Sequence, residues 1–282
     1  MQDSTFQRIS DIALRETGQQ LSPSKAYLME ARLAAICRRE NLTSLDDLVH
    51  CLEARPNPRF EAEIGAALTP KITAFFNDKE QTERIVTHGL PERLKASSTG
   101  RLRVLCCGVG SGQEAYSLAM RLDEIQDGPL SKAEIDIVGV DVCPTVLSAA
   151  ESGIYNHFEI QKGLSVQRMM AHFTRLDSGD WQASETIRNA VTFRKHNLLE
   201  PGDALGFFDI ILCRNVLPAM ARETQLQVLN SLIAQLLPGA LLFVGENETL
   251  LGLCDDMQPS RSVRGGYVRG TAAEPSGEIA VA

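Results

Sequence analysis

A glycine-rich turn and a distant aspartate are the first residues whose types and spacing suggest chemistry. The apolar run Leu102–Cys107 leads directly into Gly108-Val-Gly-Ser-Gly112, which opens a helical pattern. Glycines here let the backbone turn sharply and approach a ligand closely. A second apolar run ends at Asp141, 29 residues after Gly112, where nucleotide-binding α/β folds hold ribose hydroxyls with an acidic side chain. We therefore favour a nucleoside ligand over an ordinary tight turn.

The same turn disfavours several classes of nucleotide. Its glycine spacing is not G-x-G-x-x-G, which argues against a dinucleotide, and it lacks the Lys-Ser/Thr pair of a phosphate-cradling loop. A carboxylate at Asp141 would also repel a 2′-phosphate. The best remaining ligand is a nucleoside without phosphates, S-adenosylmethionine (SAM), whose sulfonium and ammonium groups suit an acidic domain.

The elements before this turn are predicted to be helical. Residues 1–95 carry apolar side chains at helical spacing and predict an N-terminal helical domain. Ser22-Pro23 is predicted to start a helix that ends near Glu40, and Ser44 is predicted to cap the next helix. A linker at 95–100 separates this part from the rest.

After the linker, the pattern changes to short apolar runs that alternate with helical segments. Runs that are apolar throughout are typical of strands buried on both faces of a parallel sheet. Residues 101–271 therefore predict an α/β domain with a doubly wound sheet. Within it, a helix over Glu223–Leu237 is predicted to end at Pro238-Gly239 and to lead into a strand over Ala240–Val244.

Two further segments differ from this alternation. Residues of about 165–195 contain a turn-like Asp177–Asp180, the single Trp181 and a strand-like Val191–Phe193, and we expect a small β-subdomain there. Residues 272–282 are predicted to be a disordered tail.

The composition argues against several classes of protein. The 282 residues suggest about two domains, and the 44% hydrophobic and 23% charged residues are ordinary for a globular chain. Residues 1–100 hold 13 basic and 14 acidic side chains, and residues 101–282 hold 15 and 22, which disfavours nucleic acid and anionic lipid as partners. No apolar run approaches a membrane span, and the N-terminus lacks a signal-peptide pattern. We expect a cytoplasmic protein without membrane insertion.

The cysteines and histidines suggest no metal site. The seven cysteines form no C-x-x-C pair and lie mostly in apolar runs, which favours reduced, buried thiols. None of the five histidines stands at ligand spacing to a cysteine.

Five stretches, in order over about residues 20–270, carry more specific motifs. They are Lys25-Ala-Tyr-Leu to Leu45, Thr69-Pro-Lys-Ile-Thr-Ala-Phe-Phe-Asn-Asp78, Gly112-Gln-Glu-Ala-Tyr-Ser117, Asp141-Val-Cys-Pro to Ser152-Gly-Ile-Tyr155, and Phe193 to Glu248 with Phe208-Asp209 and Cys213-Arg-Asn-Val216. Together they resemble the CheR family, which methylates glutamates of chemotaxis receptors. This chain resembles a divergent member.

The resemblance implies a fold, a reaction and a partner. It implies a SAM-methyltransferase-like α/β sheet with an N-terminal helical domain and a small β insert. The reaction would be SAM-dependent methylation of receptor glutamate side chains. The partner would be a methyl-accepting chemotaxis receptor, met through its cytoplasmic helices by the basic helix around Arg32, Arg38 and Arg39. In some members, the β-subdomain also docks on the receptor's C-terminal tail.

The resemblance also implies cofactor-contacting residues, although it assigns no catalytic residue and no metal ligand. Glu114 could pair with the methionyl ammonium or a loop amide, and Asp141 with the ribose. Asn197 and Asn215 each follow a strand, so turn capping is an alternative role for both. The seven positions carried over are Thr73, Glu114, Asp141, Asn197, Leu198, Asn215 and Val216.

Three departures from the family pattern leave a second hypothesis open. Asn77 stands where the family has an arginine, Ala219 where it has a tyrosine, and Lys71 where it has an asparagine. Asparagine keeps a donor but loses the charge and the two-pronged geometry of arginine. The alternative is a degenerate CheR-like adaptor that binds SAM or S-adenosylhomocysteine (SAH) without turnover. A small-molecule methyltransferase would leave the helical half without a role.

Overall fold

The N-terminal part of the computed structural model, which describes residues 1–71 and 73–269, is a four-helix unit. Gly18 ends the first helix in the left-handed conformation, and a capping box of Ser44 and Asp47 starts the third. The apolar faces form one core that includes Ile12, Leu33 and Leu48. The helices are α1 (Asp3–Thr17), α2 (Ala26–Arg39), α3 (Leu45–Ala54) and α4 (Pro58–Leu68).

The start of α2 differs from the prediction in detail. Pro23–Lys25 forms a single 3₁₀ turn before α2, and the Ser22 side chain caps neither. The helix ends at Arg39, next to the predicted Glu40. Proline here still fixes the backbone for the first turn, as its locked φ predicts.

The next helices pack against the sheet rather than against α1–α4. These are α5 (Lys79–Arg84), a π-helical turn (Ile85–Gly89) and α6 (Leu90–Ala96). Ile85, Val86 and Leu90 belong to the core cluster of the α/β domain. These residues lie before the predicted boundary at residue 95 and still contribute to the core of the α/β domain, because helical periodicity alone does not show which core a helix joins.

A seven-stranded sheet forms the centre of the α/β domain, as the doubly wound prediction requires. The strand order is β6-β2-β1-β7-β8-β10-β9, with parallel pairing from β6 to β8 and antiparallel pairing of β10 with both β8 and β9. The strands are β1 (Arg101–Cys107), β2 (Glu134–Asp141), β6 (Val191–Lys195), β7 (Phe208–Leu212), β8 (Leu236–Phe243), β9 (Met257–Pro259) and β10 (Gly266–Arg269).

Both faces of this sheet are covered. Alternate residues of β1 point into two different apolar clusters: Val104 and Cys106 lie in one, Leu105 and Cys107 in the other. This explains why the strands are apolar throughout. The long covering helices are α7 (Gln113–Asp123), α8 (Pro144–Ser152) and α12 (Arg222–Ala234).

A second, three-stranded antiparallel sheet forms the small β insert, although one predicted strand lies elsewhere. Its order is β3 (Ile154–Tyr155), β5 (Trp181–Ala183), β4 (Phe173–Arg175), with Trp181 packed against the core. The strand-like Val191–Phe193 belongs instead to β6, which pairs with β2 in the main sheet. Backbone pairing over this distance in sequence leaves no local signal. The short helices around the insert are α9 (His157–Gln161), α10 (Val166–His172) and α11 (Glu185–Asn189).

The predicted boundary between the last long helix and its strand is also wrong. Helix α12 ends at Ala234, and β8 already begins at Leu236, so Pro238 and Gly239 lie inside the strand. The pairing of β7 with β8 shifts register there, and both residues are exposed, which is where a strand tolerates proline. The predicted tail at 272–282 lies outside the described residues.

Candidate functional site

A cavity lies at the carboxyl edge of the parallel strands, at the point where the strand order reverses between β1 and β7. It measures about 1020 Å³ when the open space at its mouth is included. Open α/β sheets bind ligands at this place. The structure brings all seven predicted residues to its lining: Thr73, Glu114, Asp141, Asn197, Leu198, Asn215 and Val216.

The glycine turn forms the floor of the cavity. Gly108, Gly110 and Gly112 all have positive φ, in the region that other residues rarely adopt. A Cβ atom on Gly108 would lie 2.7 Å from Cγ2 of Val216, and one on Gly110 would lie 3.4 Å from Cγ2 of Thr73. The turn therefore needs glycine both for its conformation and for close packing.

Asp141 holds this turn in place. Its Oδ2 accepts a hydrogen bond of 2.9 Å from the N–H of Gly110, and its Oδ1 accepts one of 2.9 Å from the N–H of Cys143. Burial raises the pKa of Asp141, and the two amides oppose that rise. Two carboxylate oxygens offer about four acceptor sites, so the side chain keeps acceptor capacity for hydroxyl groups.

Glu114 pairs with Arg214, a residue for which the sequence predicted no role. Its Oε1 lies 3.1 Å from Nη1 of Arg214, and Nη2 of Arg214 lies 3.9 Å from Oδ2 of Asp78. Burial raises the pKa of Glu114; Arg214 opposes this, whereas Asp78 and Glu248 add to it. Within the described chain, Glu114 is therefore paired with an arginine, and its role toward an ammonium group stays a prediction.

Glu248 fixes the strand ends beside the cavity. Its Oε1 accepts a hydrogen bond of 2.8 Å from the N–H of Asn215, and its Oε2 accepts one of 2.9 Å from the N–H of Gly245. Asn215 adopts a left-handed φ of 59°, which asparagine tolerates better than most residues. This backbone contact explains why a glutamate follows the last parallel strand.

Asn197 connects the cavity to the helical domain. Its Nδ2 donates a hydrogen bond of 2.7 Å to the carbonyl of Glu16 at the end of α1, and its Oδ1 accepts one of 3.2 Å from the N–H of Leu199. The second bond is the turn cap that the sequence left open as an alternative. The side chain still lines the cavity, with Leu198 buried beside it.

The end of α1 forms a wall of the cavity that the sequence did not predict. Thr17 and Gln19 line it. Gln19 pairs with Met220 in an isolated antiparallel bridge, and the N–H of Gln20 donates 2.9 Å to the carbonyl of Ala219. A helical domain packed over the mouth can exclude water from the site. No local motif marks these residues, since their position depends on domain packing.

The departures from the family pattern fall at different places. Asn77 lines the cavity, after a buried Phe76 with a left-handed φ of 48° whose N–H donates 2.9 Å to Oγ of Ser117. Ala219 is not among the described residues that line the cavity, and its neighbour Met220 is. Lys71 is exposed and lies close enough to lower the pKa of Asp141 slightly against the effect of burial.

The described ranges 1–71 and 73–269 contain neither a metal-binding cluster nor a membrane-spanning helix. No group of three or more His, Cys, Asp or Glu side chains there could hold a metal ion. Within the same ranges, no helix is both long and apolar enough to cross a membrane.

The chemistry of the cavity fits a nucleoside that carries an amino-acid end. The glycine cradle admits close backbone contact, Asp141 retains acceptor sites for ribose hydroxyls, and Glu114 provides negative charge for an ammonium group. Nε of Arg214 is buried and has no hydrogen-bond partner among the described atoms. Fold and site together define a nucleoside-binding α/β protein of the methyltransferase type.

Comparison with known proteins identifies the family. The profile described as "CheR methyltransferase, SAM binding domain" matches residues 71–265, and "CheR methyltransferase, all-alpha domain" matches residues 4–68. The chain therefore belongs to the CheR methyltransferase family, and SAM is its cofactor. The predicted family, fold class and cofactor are confirmed.

Curated relatives agree over most of their length. Chemotaxis protein methyltransferase Cher2 of Pseudomonas putida is 33% identical over 84% of this chain and 87% of its own. Chemotaxis protein methyltransferase 1 of Pseudomonas aeruginosa is 35% identical over the same shares, 84% and 87%. The chemotaxis protein methyltransferase of Escherichia coli is 30% identical over 88% of this chain and 85% of its own.

A solved structure, PKMT2 from Rickettsia typhi in complex with AdoHcy, gives a weaker match. It covers 62% of this chain and 26% of that chain, with 17% identity and a TM-score of 0.38. Similarity at this level carries no conclusion about the chain.

Proposed function

We propose that this protein methylates glutamate side chains of chemotaxis receptors, with SAM as methyl donor. The observation that carries the proposal is the cavity at the switch between β1 and β7, which is lined by all seven positions matched to the family's cofactor contacts. The names of the relatives, which are chemotaxis protein methyltransferases, support the pathway. The receptor glutamate as acceptor follows from the resemblance to the family.

The cavity residues position the reactants rather than transfer protons. When bound, SAM supplies a methyl group on a positively charged sulfur, which an anionic oxygen can take in one displacement. Asp141 and the glycine turn hold the nucleoside, and Glu114 faces the amino-acid end. An acceptor glutamate is already ionised near neutral pH, since its ordinary pKa is about 4.3. Orientation and exclusion of water can then supply much of the acceleration, up to about 7–11 kcal/mol.

The basic helix contributes less to receptor binding than its sequence suggests. Nη1 of Arg32 donates to the carbonyl of Leu68 within the helical domain. Arg39 forms ion pairs with Glu63 and Glu40. Of the three arginines, Arg38 remains exposed without an ion pair among the described residues. The proposal of a receptor partner therefore rests on the family rather than on this helix.

Transfer of a labelled methyl group tests the proposal. The full chain is incubated with methyl-labelled SAM and membranes that contain a chemotaxis receptor, and alkali-released methanol is counted, because alkali cleaves carboxyl methyl esters. We expect labelling by the natural chain and by Asp136→Ala, whose substitution lies on β2 outside the cavity. Asp141→Ala should label at background level. Absence of label with the natural chain would contradict the proposal.

The same assay decides the adaptor alternative, which the uncharged Asn77 and the absent tyrosine at Ala219 motivate. A protein that binds SAH but labels no receptor would favour the alternative. Labelling gained in the double variant Asn77→Arg/Ala219→Tyr, and absent in the natural chain, would show that these positions inactivate a working site. Labelling by the natural chain, lost in Asp141→Ala, would eliminate the adaptor alternative.

A further inference from the structure

Tyr155 joins the β insert to the glycine turn beneath the cavity. It lies on β3, where it pairs with Trp181 of β5, and it is 1% exposed. Its hydroxyl donates a hydrogen bond of 2.6 Å to the carbonyl of Ser111 in the turn. Burial raises the pKa of Tyr155, so the hydroxyl stays protonated and remains a donor. Tyr155 is not among the described residues that line the cavity, and any effect on a ligand must pass through the residues it contacts.

Three aromatic rings fix the position of this hydroxyl. The ring of Tyr155 meets Phe75 edge-on at 4.9 Å, Phe173 at 6.1 Å and Tyr116 at 6.5 Å, measured between ring centroids. Edge-to-face pairs of this kind are favourable beyond the area that they bury. The ring is therefore held on several sides, and its hydroxyl presents a fixed donor to the turn.

The peptide group that Tyr155 holds is connected directly to the cavity. The carbonyl of Ser111 and the N–H of Gly112 belong to one planar peptide group. That N–H donates a hydrogen bond of 3.0 Å to the carbonyl of Val109, which lines the cavity. A donor that fixes the carbonyl of this group also fixes the direction of its N–H. Tyr155 thus reaches the lining through two hydrogen bonds in series.

The turn needs support from outside because its glycines are conformationally free. Gly108, Gly110 and Gly112 all have positive φ, and glycine loses more freedom on ordering than any other residue. Asp141 anchors the turn at the N–H of Gly110, and Tyr155 anchors it from the β insert. A site that is already ordered before the ligand arrives binds more tightly, since less ordering accompanies binding.

We propose that Tyr155 is a positioning residue for cofactor binding: its hydroxyl holds the carbonyl of Ser111 and so keeps the glycine turn in the conformation that receives the nucleoside. The proposal gives the β insert a part in cofactor binding. It rests on SAM as cofactor and does not depend on methyl transfer to a receptor. A purely structural hydroxyl would stabilise the fold without changing the affinity for the ligand.

Two phenylalanine variants test this assignment. Tyr116 offers the matched control, because its buried hydroxyl also donates a hydrogen bond of 2.6 Å to a carbonyl, that of Ala150 on α8. Each variant removes one hydroxyl and keeps the ring. In calorimetric titration, Tyr155→Phe should bind SAH about 3- to 10-fold more weakly than the natural chain, the equivalent of one hydrogen bond. Tyr116→Phe should stay within about twofold of the natural chain.

Thermal unfolding and amide hydrogen exchange separate positioning from stability. Both variants lose a comparable bond, so their ligand-free stabilities should fall by similar amounts. A peptide that covers residues 108–112 should exchange faster in ligand-free Tyr155→Phe than in Tyr116→Phe, because the turn opens more easily. Saturation with SAH should reduce that difference. Binding is compared at a temperature at which the unfolding curves show all three proteins folded.

The inference is overturned if Tyr155→Phe binds SAH as tightly as the natural chain, or if both variants lose affinity by the same factor. It is also overturned if Tyr155→Phe binds weakly although its turn exchanges no faster than that of Tyr116→Phe. Failure of receptor labelling would contradict the proposed function but leave this comparison standing.

Discussion

Two buried arginines stand at opposite edges of the same sheet and meet different surroundings. At the amino edge, Arg93 directs Nε and Nη2 to Oδ1 of Asp209 at 3.4 and 3.2 Å, and Nη1 to the carbonyl of Pro238 at 3.0 Å. Oδ2 of Asp209 accepts from the N–H of Arg103. At the carboxyl edge, Arg214 leaves Nε without a partner in the described chain. The hydrogen bonds of Arg93 are thus satisfied within the fold, whereas Arg214 beside the cavity keeps a buried donor without a partner in the described chain.

The largest expected effect comes from breaking the closed network. Arg93→Gln leaves Asp209 buried and unpaired, which should lower the free energy of unfolding by about 3–5 kcal/mol. Urea unfolding measures this loss. The exposed pair of Arg101 with Glu134 provides the control, and Arg101→Gln should cost less than about 1 kcal/mol.

If Arg93→Gln and Arg101→Gln lowered the free energy of unfolding equally, the buried pair of Arg93 would stabilise the fold no more than the exposed pair of Arg101. A further check is ligand binding. Arg93→Gln should bind SAH with unchanged affinity under conditions where it is folded, because its network lies at the other edge of the sheet.

Two glycines with similar backbone geometry give the next comparison. Gly108 and Gly100 have φ of 61° and 71°, but a Cβ on Gly100 would meet nothing within 4 Å. Gly100→Ala should cost about 1 kcal/mol from its left-handed conformation. Gly108→Ala should cost about 1–3 kcal/mol more, since the new methyl group collides with Val216. It should also weaken SAH binding.

Thermal unfolding and calorimetry together measure both effects. If the two alanine variants lost the same stability and both bound SAH normally, close packing of the turn against Val216 would have no role at this edge.

The carboxyl edge was the more predictable of the two from the sequence. Gly108–Gly112 and Asp141 have local signals, because glycine conformations and strand ends are properties of neighbouring residues. The pairing of Arg214 with Glu114 was missed because it joins residues on different elements. A charged residue directly after an apolar strand was the signal for Arg214. Nothing local marked Gln19, whose position depends on the docking of the helical domain.

The errors in the fold have the same origin. Val191–Phe193 has the length and composition of a strand, but its sheet is chosen by pairing with β2, far away in the chain. Pro238 and Gly239 look like the end of a helix, although they lie in an exposed, irregular part of β8. Periodicity thus predicted which elements form, and long-range pairing decided where they belong.

A smaller effect is expected from pH. Burial raises the pKa of both Glu114 and Asp141, and the ammonium group and the ribose hydroxyls of SAH favour the ionised carboxylates. SAH affinity should therefore fall as the pH drops toward these raised values, above the ordinary range of about 3.9–4.3. Calorimetry across this range measures the change, and Glu114→Gln should flatten part of it.

The stability of the ligand-free chain should change with pH in the opposite direction to SAH affinity. Carboxyls whose pKa is higher in the folded state bind protons more readily there, so their protonation stabilises the ligand-free chain as the pH falls through the raised values. The assignment of the pH effect to Glu114 would be contradicted if the stability of the ligand-free protein fell as the pH dropped, as SAH affinity does, and if both falls were equally large in Glu114→Gln.

Titration of the full chain with SAH tests the central claim most directly, namely that the carboxyl edge is the cofactor site. We predict one SAH per chain, an affinity at least about tenfold weaker in Asp141→Asn, and unchanged affinity in Asp136→Asn on the same strand. No binding to the natural chain, or equal affinity in all three proteins, would contradict the account.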